Sequence, residues 1–230
     1  MPRLNEHGQP VGDLLTDIGP RPRPTVQTLG GRWATLRRTN VSDAADLHAA
    51  FALDDAGALW TYLSRDRPET VADFEHFLNA TCGTEDPYFF TVFDSTDQAV
   101  GFLSYLRIAP KDASIEVGWV GMSPRMRRSV LSTDALFLMM RHAFDDLGYR
   151  RIEWKCDALN APSRAAATRL GFTFEGLFRQ ATHYKGRNRD TAWFSILDTE
   201  WPAQKARFKT YLDPHNFDDA GVQIVRLQEC

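Results

Sequence analysis

The chain has few cysteines, and they form none of the patterns that mark disulfide-rich or zinc-binding proteins. Cys82, Cys156 and Cys230 are odd in number and widely spaced, so they predict neither a disulfide framework nor a metal site. The six histidines are scattered too, and no pair of them has metal-ligand spacing. We therefore expect no bound metal and a reducing, cytoplasmic location.

Long apolar runs and an excess of charge are also missing. No stretch approaches the roughly 20 apolar residues that span a bilayer, and the start of the chain lacks the apolar block of a secretory signal. The formal net charge of −3 argues against a nucleic-acid or membrane-surface binder. With 230 residues, 43% of them hydrophobic, the chain is long enough to form one large domain.

The hydrophobic patterns predict an α/β fold built on one mixed sheet, with helices on both faces. Alternating and β-branched segments indicate strands, and apolar residues at i, i+3, i+4 spacing indicate helices. The predicted order is a strand, three helices (the second over residues 54–63), three antiparallel strands, a helix, a strand, a helix and two strands. A helix crossing between the fourth and fifth strands implies that these two pair in parallel. The seven predicted strands are 31–38, 88–93, 100–108, 115–122, 150–157, 172–178 and 191–197.

Three regions are expected along the chain. Residues 1–30 hold five prolines and predict an irregular N-terminal arm. Residues 31–200 predict the single sheet domain, and residues 201–230 predict a C-terminal helix, ending near Leu212, with a short tail. The arm and the C-terminal helix are also candidates for a homodimer contact.

The turn between strand 115–122 and the next helix combines basic side chains with a helix start. Such a turn points free backbone N–H groups and the positive end of the helix dipole at one spot. That spot suits a phosphate or diphosphate, and arginines at positions 125, 127 and 128 add attraction for an anion. An ordinary solvated turn is the alternative interpretation. The candidate binding residues are Arg127, Arg128, Ser129, Val130, Leu131, Ser132 and Thr133.

Further motifs follow this turn in a fixed order. They are Asn160-x-x-Ser163, Leu170-Gly171-Phe172-Thr173-Phe174-Glu175-Gly176 and Lys185-Gly186-Arg187-x-Arg189-Asp190. Together with the strand, basic turn and helix, they make residues 31–200 resemble the GCN5-related N-acetyltransferases (GNAT). Within that superfamily the chain resembles the ribosomal-protein alanine acetyltransferase (RimJ/RimL) type. The resemblance implies a GNAT-like, mostly antiparallel mixed sheet of about seven strands.

The resemblance also implies an activity of the EC 2.3.1 type. An acetyl or other acyl group would pass from acyl-CoA to a primary amine by direct attack in a ternary complex. The implied co-substrate is acetyl-CoA, without a metal. The acceptor is a small-molecule amine or a protein N-terminus, and the sequence leaves the choice open.

The same resemblance implies roles for individual residues. Backbone N–H groups from Val120 to Met122 would hold the acyl carbonyl and the pantetheine arm, and Asn160 would bond a pantetheine amide. Glu116 would draw a proton from the amine, directly or through water, and Ser163 would return one to the sulfur.

A structural alternative stands beside several of these roles. Glu116 has the pattern of a surface or ion-paired strand residue as well as that of a base. Ser163 is also a candidate helix cap, and Asn160 a turn residue before a proline. Glu175 is a second carboxylate near the expected site, with a structural role as the alternative, and His183 is a backup base.

Two positions depart from the superfamily's pattern. Its acyl-CoA turn reads Gln/Arg-x-x-Gly-x-Gly/Ala; here Arg127 fits, but Val130 and Ser132 replace the two small residues. The tyrosine that protonates the leaving thiolate in much of the superfamily falls on Ala167. These departures keep two rivals open: a non-catalytic acyl-CoA-binding or interaction module, and a site for another phosphate ligand such as a nucleotide.

Overall fold

A computed structural model describes residues 3–17, 19–54 and 56–230; positions 1, 2 and 18 of the predicted arm lie outside these ranges. The strands are β1 (Arg3–Leu4), β2 (Pro10–Val11), β3 (Thr28–Gly30), β4 (Thr35–Arg38), β5 (Tyr88–Phe93), β6 (Ala99–Ala109), β7 (Ser114–Met122), β8 (Arg151–Asp157), β9 (Thr173–Tyr184) and β10 (Arg187–Leu197). Strands β1 and β2 pair with each other, and the other eight form one sheet in the order β3-β4-β5-β6-β7-β8-β10-β9. Within the described residues, only β7 and β8 pair in parallel. The predicted fold class and the parallel pair are therefore confirmed, with one more strand than expected.

Five α-helices flank the sheet: α1 (Ala44–Ala52), α2 (Val71–Asn79), α3 (Val130–Arg141), α4 (Ala161–Arg169) and α5 (Trp201–Leu212). Helix α3 continues into a π-helical turn, His142–Asp146. The predicted helix over residues 54–63 is wrong: only a 3₁₀ turn, Ala58–Trp60, forms there, and position 55 lies outside the described residues. Gly57 at its start has φ +63°, a left-handed conformation that breaks a helix.

The sheet is packed differently on its two faces. Helices α3 and α5 bury one face in the main core, to which β7 contributes Ile115 and Val117 and β8 contributes Ile152 and Trp154. Helices α1 and α2 pack an aromatic cluster onto the β5–β6 part of the other face; its rings include Phe51, Phe74, Phe77, Phe89 and Phe102. On that same face, β8 and β10 carry charged and aromatic side chains instead. This arrangement follows from the period of two along a strand, which sends alternate side chains to opposite faces.

Strands β7 and β8 separate partway along their length. Their parallel ladder joins Ser114–Glu116 to Arg151–Glu153; beyond it, β8 stays paired with β10 and β7 with β6. Trp119 in β7 has φ +46°, and the β6–β7 register shifts nearby. Such a bulge bends a strand, so β7 turns away from β8 and a wedge opens between them.

Candidate active site

The wedge between β7 and β8 opens into a cleft of about 230 Å³, here called the β7–β8 cleft. Four residues singled out from the sequence line it together: Glu116 and Val120 from β7, and Asn160 and Ser163 from the start of α4. The other lining residues are Leu59, Tyr62, Leu63, Ser64, Leu106, Val117, Gly118, Trp119, Trp154, Lys155, Cys156, Asp157 and Arg189. These four candidates, which span 47 positions from Glu116 to Ser163 in the sequence, therefore meet at one point of the sheet.

Glu116 is buried in this cleft, with 7% of its side chain exposed. Its Oε2 lies 2.9 Å from the Lys155 Nζ and 3.7 Å from the Arg107 Nε. Burial raises the pKa of the Glu116 carboxyl above its ordinary value, and the nearby cations Lys155 and Arg107 partly offset that rise. Glu116 is thus an ion-paired residue and also a carboxylate with increased basicity facing a cleft.

Lys155 is a cleft residue that the sequence analysis missed. Its Nζ also lies 2.6 Å from the Glu153 Oε2 and 3.7 Å from the centroid of the Trp193 ring. The sequence held one sign of the contact between Glu153 and Lys155: the two residues are two positions apart on β8, so their side chains lie on the same face of the strand. Finding their neighbours on β7 and β10 required the register of three strands, which no local pattern gives.

The start of α4 resolves the roles that the sequence left open for Asn160 and Ser163. The Asn160 Oδ1 accepts a hydrogen bond from the Ser163 backbone N–H at 3.1 Å, so Asn160 is the helix cap and Ser163 is not. The Ser163 Oγ instead accepts one from the Trp154 Nε1–H at 3.0 Å. This contact uses a lone pair of the Ser163 oxygen, and the Cys156 thiol lies within hydrogen-bonding reach of the same hydroxyl.

The basic turn before α3 has several backbone amides without internal partners. Among the described residues, no acceptor is found for the N–H groups of Arg128, Ser129, Val130 or Leu131. Ser132 differs, because its N–H donates to the Ser129 Oγ at 3.3 Å in an N-cap. A row of four amides at the start of a twelve-residue helix suits a diphosphate.

The arginines of this turn are not equivalent. Arg127 and Arg128 are exposed, and in the part of the chain that the structure describes no carboxylate pairs with either. Arg125 is held on the neighbouring hairpin: its Nη1 donates to the Gln98 Oε1 at 2.7 Å and its Nη2 to the Asp94 Oδ2 at 2.8 Å. Two of the three arginines are therefore free to face an anion.

Val130 does not need the conformational freedom of the glycine it replaces. The left-handed residue of the turn is Arg128, with φ +57°, and Val130 is not among the residues with positive φ. Its side chain is half-buried and packs against the main core. The valine is therefore accommodated in the turn without backbone strain, and part of its side chain is taken up by packing against the core.

The remaining candidates are placed outside the cleft or inside the protein. Met122 packs against the core opposite Gly101, and the Thr133 Oγ1 accepts a hydrogen bond from the Arg169 Nη2 at 3.1 Å. Glu175 accepts hydrogen bonds from Arg151 at 2.6 Å and from the Ser195 hydroxyl at 2.8 Å, which is a structural role. His183 is exposed on β9 and does not line the cleft.

The β9–β10 hairpin and the segment around Trp60 close over the cleft. The Lys185 Nζ donates to the Trp60 carbonyl at 2.8 Å, and the Tyr62 hydroxyl donates to the Leu159 carbonyl at 3.1 Å. Beside them, the Tyr184 hydroxyl donates to the Asp157 Oδ2 at 2.8 Å. Burial and this carboxylate together raise the pKa of Tyr184 to about 12.

Residues 3–17, 19–54 and 56–230 contain neither a side-chain cluster suited to a metal ion nor a helix that could span a membrane. No group of three or more His, Cys, Asp or Glu side chains in these ranges is arranged to hold a metal ion. None of the helices in these ranges has the length and hydropathy needed to cross a bilayer.

Comparison with known proteins gives a family for this arrangement. The profile described as "Acetyltransferase (GNAT) domain" matches residues 34–173. The chain belongs to the GNAT acetyltransferase family. A crystal structure of a GCN5-related N-acetyltransferase from Brucella melitensis is 44% identical, with a TM-score of 0.91, over 94% of this chain and 98% of that one.

Curated relatives of this GNAT protein are more distant. The ribosomal-protein-serine acetyltransferase of Escherichia coli is 25% identical over 175 residues, 70% of this chain and 97% of that protein. An uncharacterized N-acetyltransferase p20 from Bacillus licheniformis is 27% identical over 113 residues, 49% of this chain. That second match spans 63% of the relative's length. The predicted RimJ/RimL resemblance is confirmed by these relatives.

Proposed function

We propose that the protein transfers an acetyl, or another acyl, group from acyl-CoA to a primary amine by direct attack in a ternary complex. The observation that carries the proposal is that a buried carboxylate, Glu116, and a hydroxyl, Ser163, line one cleft at the separation of β7 and β8. Acyl transfer to an amine needs a base for the amine and an acid for the leaving thiolate. The cleft supplies one group of each kind.

The free amides of residues 128–131 are the proposed site for the diphosphate of acetyl-CoA. Arg127 and Arg128 add positive charge there, and the Val130 side chain is partly taken up by packing against the core. We assign a pantetheine amide to Asn160, whose Nδ2 has no acceptor among the described residues. Backbone groups near Val120 are assigned to the acyl carbonyl, because this residue lies on the cleft wall opposite Ser163.

Two residues act on protons in this proposal. The Glu116 carboxylate takes a proton from the acceptor ammonium, which leaves the nitrogen lone pair free to attack. The Ser163 hydroxyl, oriented by the Trp154 indole, gives its proton to the leaving thiolate and takes up the second proton that the acceptor nitrogen loses, in place of the tyrosine that Ala167 replaces. We propose a small-molecule amine or a protein N-terminus as acceptor; the name of the Escherichia coli relative supports including ribosomal proteins among those tested.

Binding and turnover are tested separately. Acetyl-CoA should raise the midpoint of thermal unfolding, and thiol release should follow with at least one member of a panel of amines and N-terminal peptides. Competition by CoA but not by ATP separates an acyl-CoA site from a general nucleotide site. A thermal shift without thiol release favours the non-catalytic module, and neither shift nor release contradicts the proposal.

A further inference from the structure

The proposed acyl transfer, on which this inference rests, releases one proton per turnover. The acceptor nitrogen begins with three N–H bonds as an ammonium and ends with one as an amide. Of the two protons lost, one ends on the CoA thiol and the other must leave the site. Glu116 accepts a proton but is only 7% exposed, and both substrates occupy its cleft during the reaction.

A second cleft lies on the far side of the Glu116 ion pairs. It measures about 840 Å³, and its lining includes Arg107, Arg151, Glu153 and Trp193. Glu116 lines the β7–β8 cleft and Glu153 lines the second one. Between the two carboxylates lies the Lys155 Nζ, 2.9 Å from the Glu116 Oε2 and 2.6 Å from the Glu153 Oε2.

We propose that Lys155 and Glu153 relay the proton from Glu116 to the solvent of the second cleft. An N–H bond of the Lys155 ammonium breaks first as an O–H bond forms on Glu153, which leaves Lys155 a neutral amine with a lone pair. The O–H bond on Glu116 then breaks as an N–H bond forms at this amine, and Glu153 gives its proton to water. At the end Glu116 and Glu153 are carboxylates and Lys155 is an ammonium again, so one proton has left and each group has the charge with which it started.

The other groups that face Glu116 do not offer this route. Arg107 from β6 is a guanidinium, which does not lose a proton in proteins, and the same holds for Arg189 from β10, which lines the same cleft. The Trp193 ring lies 3.7 Å from the Lys155 Nζ and holds this ammonium between the two carboxylates by a cation–π contact. Glu153 lies outside the β7–β8 cleft, and Lys155 receives the proton from Glu116, so both have relay roles that act through Glu116.

The environments of the two carboxylates assign collection of the proton to Glu116 and its release to Glu153. Burial raises the pKa of Glu116. At Glu153 the effect of burial is outweighed by hydrogen bonding and charge from Lys155 and Arg151, and its pKa is lowered. A proton collected at Glu116 is therefore held weakly once it reaches Glu153, next to water.

The relay is tested with Glu153→Gln and Lys155→Arg, using thiol release in weakly buffered solution. Glu153→Gln should lower kcat by about tenfold or more, increase the solvent isotope effect and regain activity when imidazole is added as a small base. Lys155→Arg keeps a cation between the carboxylates but cannot give up a proton, so the relay predicts a similar loss of kcat. A purely structural role for the lysine predicts activity close to wild type in that variant.

Glu175→Gln is the matched control, because Glu175 is also a carboxylate paired with Arg151 but lies off the relay. Its kcat and isotope effect should stay near wild type, and thermal unfolding should show that every variant is folded. The relay is overturned if Glu153→Gln retains full kcat in weak buffer, or if its loss equals that of Glu175→Gln and imidazole does not restore it. A wild-type protein without turnover would overturn the proposed function itself.

Discussion

At the scale of single residues, the chemistry of Glu116 is set by competition between burial and two cations. Burial makes its carboxyl a stronger base, while Lys155 and Arg107 keep the ionised form accessible. A surface glutamate would not have its pKa raised by burial. A buried glutamate without cations nearby would not have its ionised form stabilised. The alternation of β7 placed Glu116 on a face with Gly118 and Val120, but burial and pairing depend on strands distant in sequence.

Replacing the carboxylate of Glu116 should remove the proposed base. Glu116→Gln is expected to lower kcat for thiol release by about a hundredfold or more, with little effect on the thermal shift produced by acetyl-CoA. Stopped assays of free thiol with the best amine measure the first quantity. Unchanged kcat in this variant would assign the base to another group.

The pH dependence of kcat/KM should report the same carboxylate. Only ionised Glu116 accepts a proton, so the rate rises with pH through its pKa; burial places this acid limb above the ordinary value of 4.5. Lys155→Met removes the nearest cation and should move the limb to higher pH. A limb that stays in place in this variant would show that Glu116 does not control the rate.

At the scale of elements, the turn before α3 combines free amides, a helix dipole and two unpaired arginines. The sequence predicted the strand, turn and helix, because each has a strong local pattern. It did not show that Arg125 belongs to the neighbouring hairpin or that Val130 faces the core. It also treated Ser132 as a binding residue, although the Ser129 cap occupies its amide.

The arginine pair gives a prediction at this scale. The double variant Arg127→Ala, Arg128→Ala should raise KM for acetyl-CoA by about thirtyfold, since each arginine contributes on the order of 1 kcal/mol to anion binding, and kcat should change little. The increase should shrink at high salt. Arg125→Ala is the matched control; an equal rise in its KM would contradict the assignment.

Two elements differ from their predicted bounds, and each difference has a physical reason. The residues around Trp60 have apolar helical spacing, yet Gly57 adopts a left-handed conformation and only a 3₁₀ turn forms. The β9–β10 hairpin extends to a turn at Lys185 and Gly186, well beyond the predicted strand ends. Most of its added residues are polar and exposed, so no hydrophobic alternation indicated them.

At the scale of the whole molecule, one buried carboxylate joins the functional helix to the edge of the sheet. The Asp134 Oδ2 accepts hydrogen bonds from the backbone N–H groups of Trp33 at 2.7 Å and Ala34 at 3.1 Å. A Cβ at Gly31 would clash with the same oxygen, so a larger residue there would displace this carboxylate. Helix α3 is thereby fixed against the β3–β4 turn.

Removing that carboxylate should destabilise the fold. Asp134→Ala leaves two backbone N–H groups without an acceptor and is expected to lower the free energy of unfolding by about 2 to 4 kcal/mol. Asp134→Asn keeps an acceptor oxygen and should cost less. Urea unfolding followed by tryptophan fluorescence measures both, and equal losses in the two variants would show that the charge, not the acceptor, matters.

The overall architecture was predictable because the order of strands and helices and the right-handed crossover restrict the sheet to few topologies. Four cleft residues were named from the resemblance of their segments to the family, and their roles stay predictions: Glu116, Val120, Asn160 and Ser163. The ionic chain from Glu116 to Glu153 was not predictable, since it depends on register across β7, β8 and β10. The homodimer contact stays a prediction, for which the molar mass in solution is the measurement.

The most direct test of the central claim is a crystal structure of the protein with bound CoA. We predict the diphosphate within about 3 Å of the backbone nitrogens of residues 128–131, with the pantetheine arm passing Asn160 and the sulfur near the Ser163 Oγ in the β7–β8 cleft. A diphosphate bound elsewhere, or a sulfur remote from Glu116 and Ser163, would contradict the account.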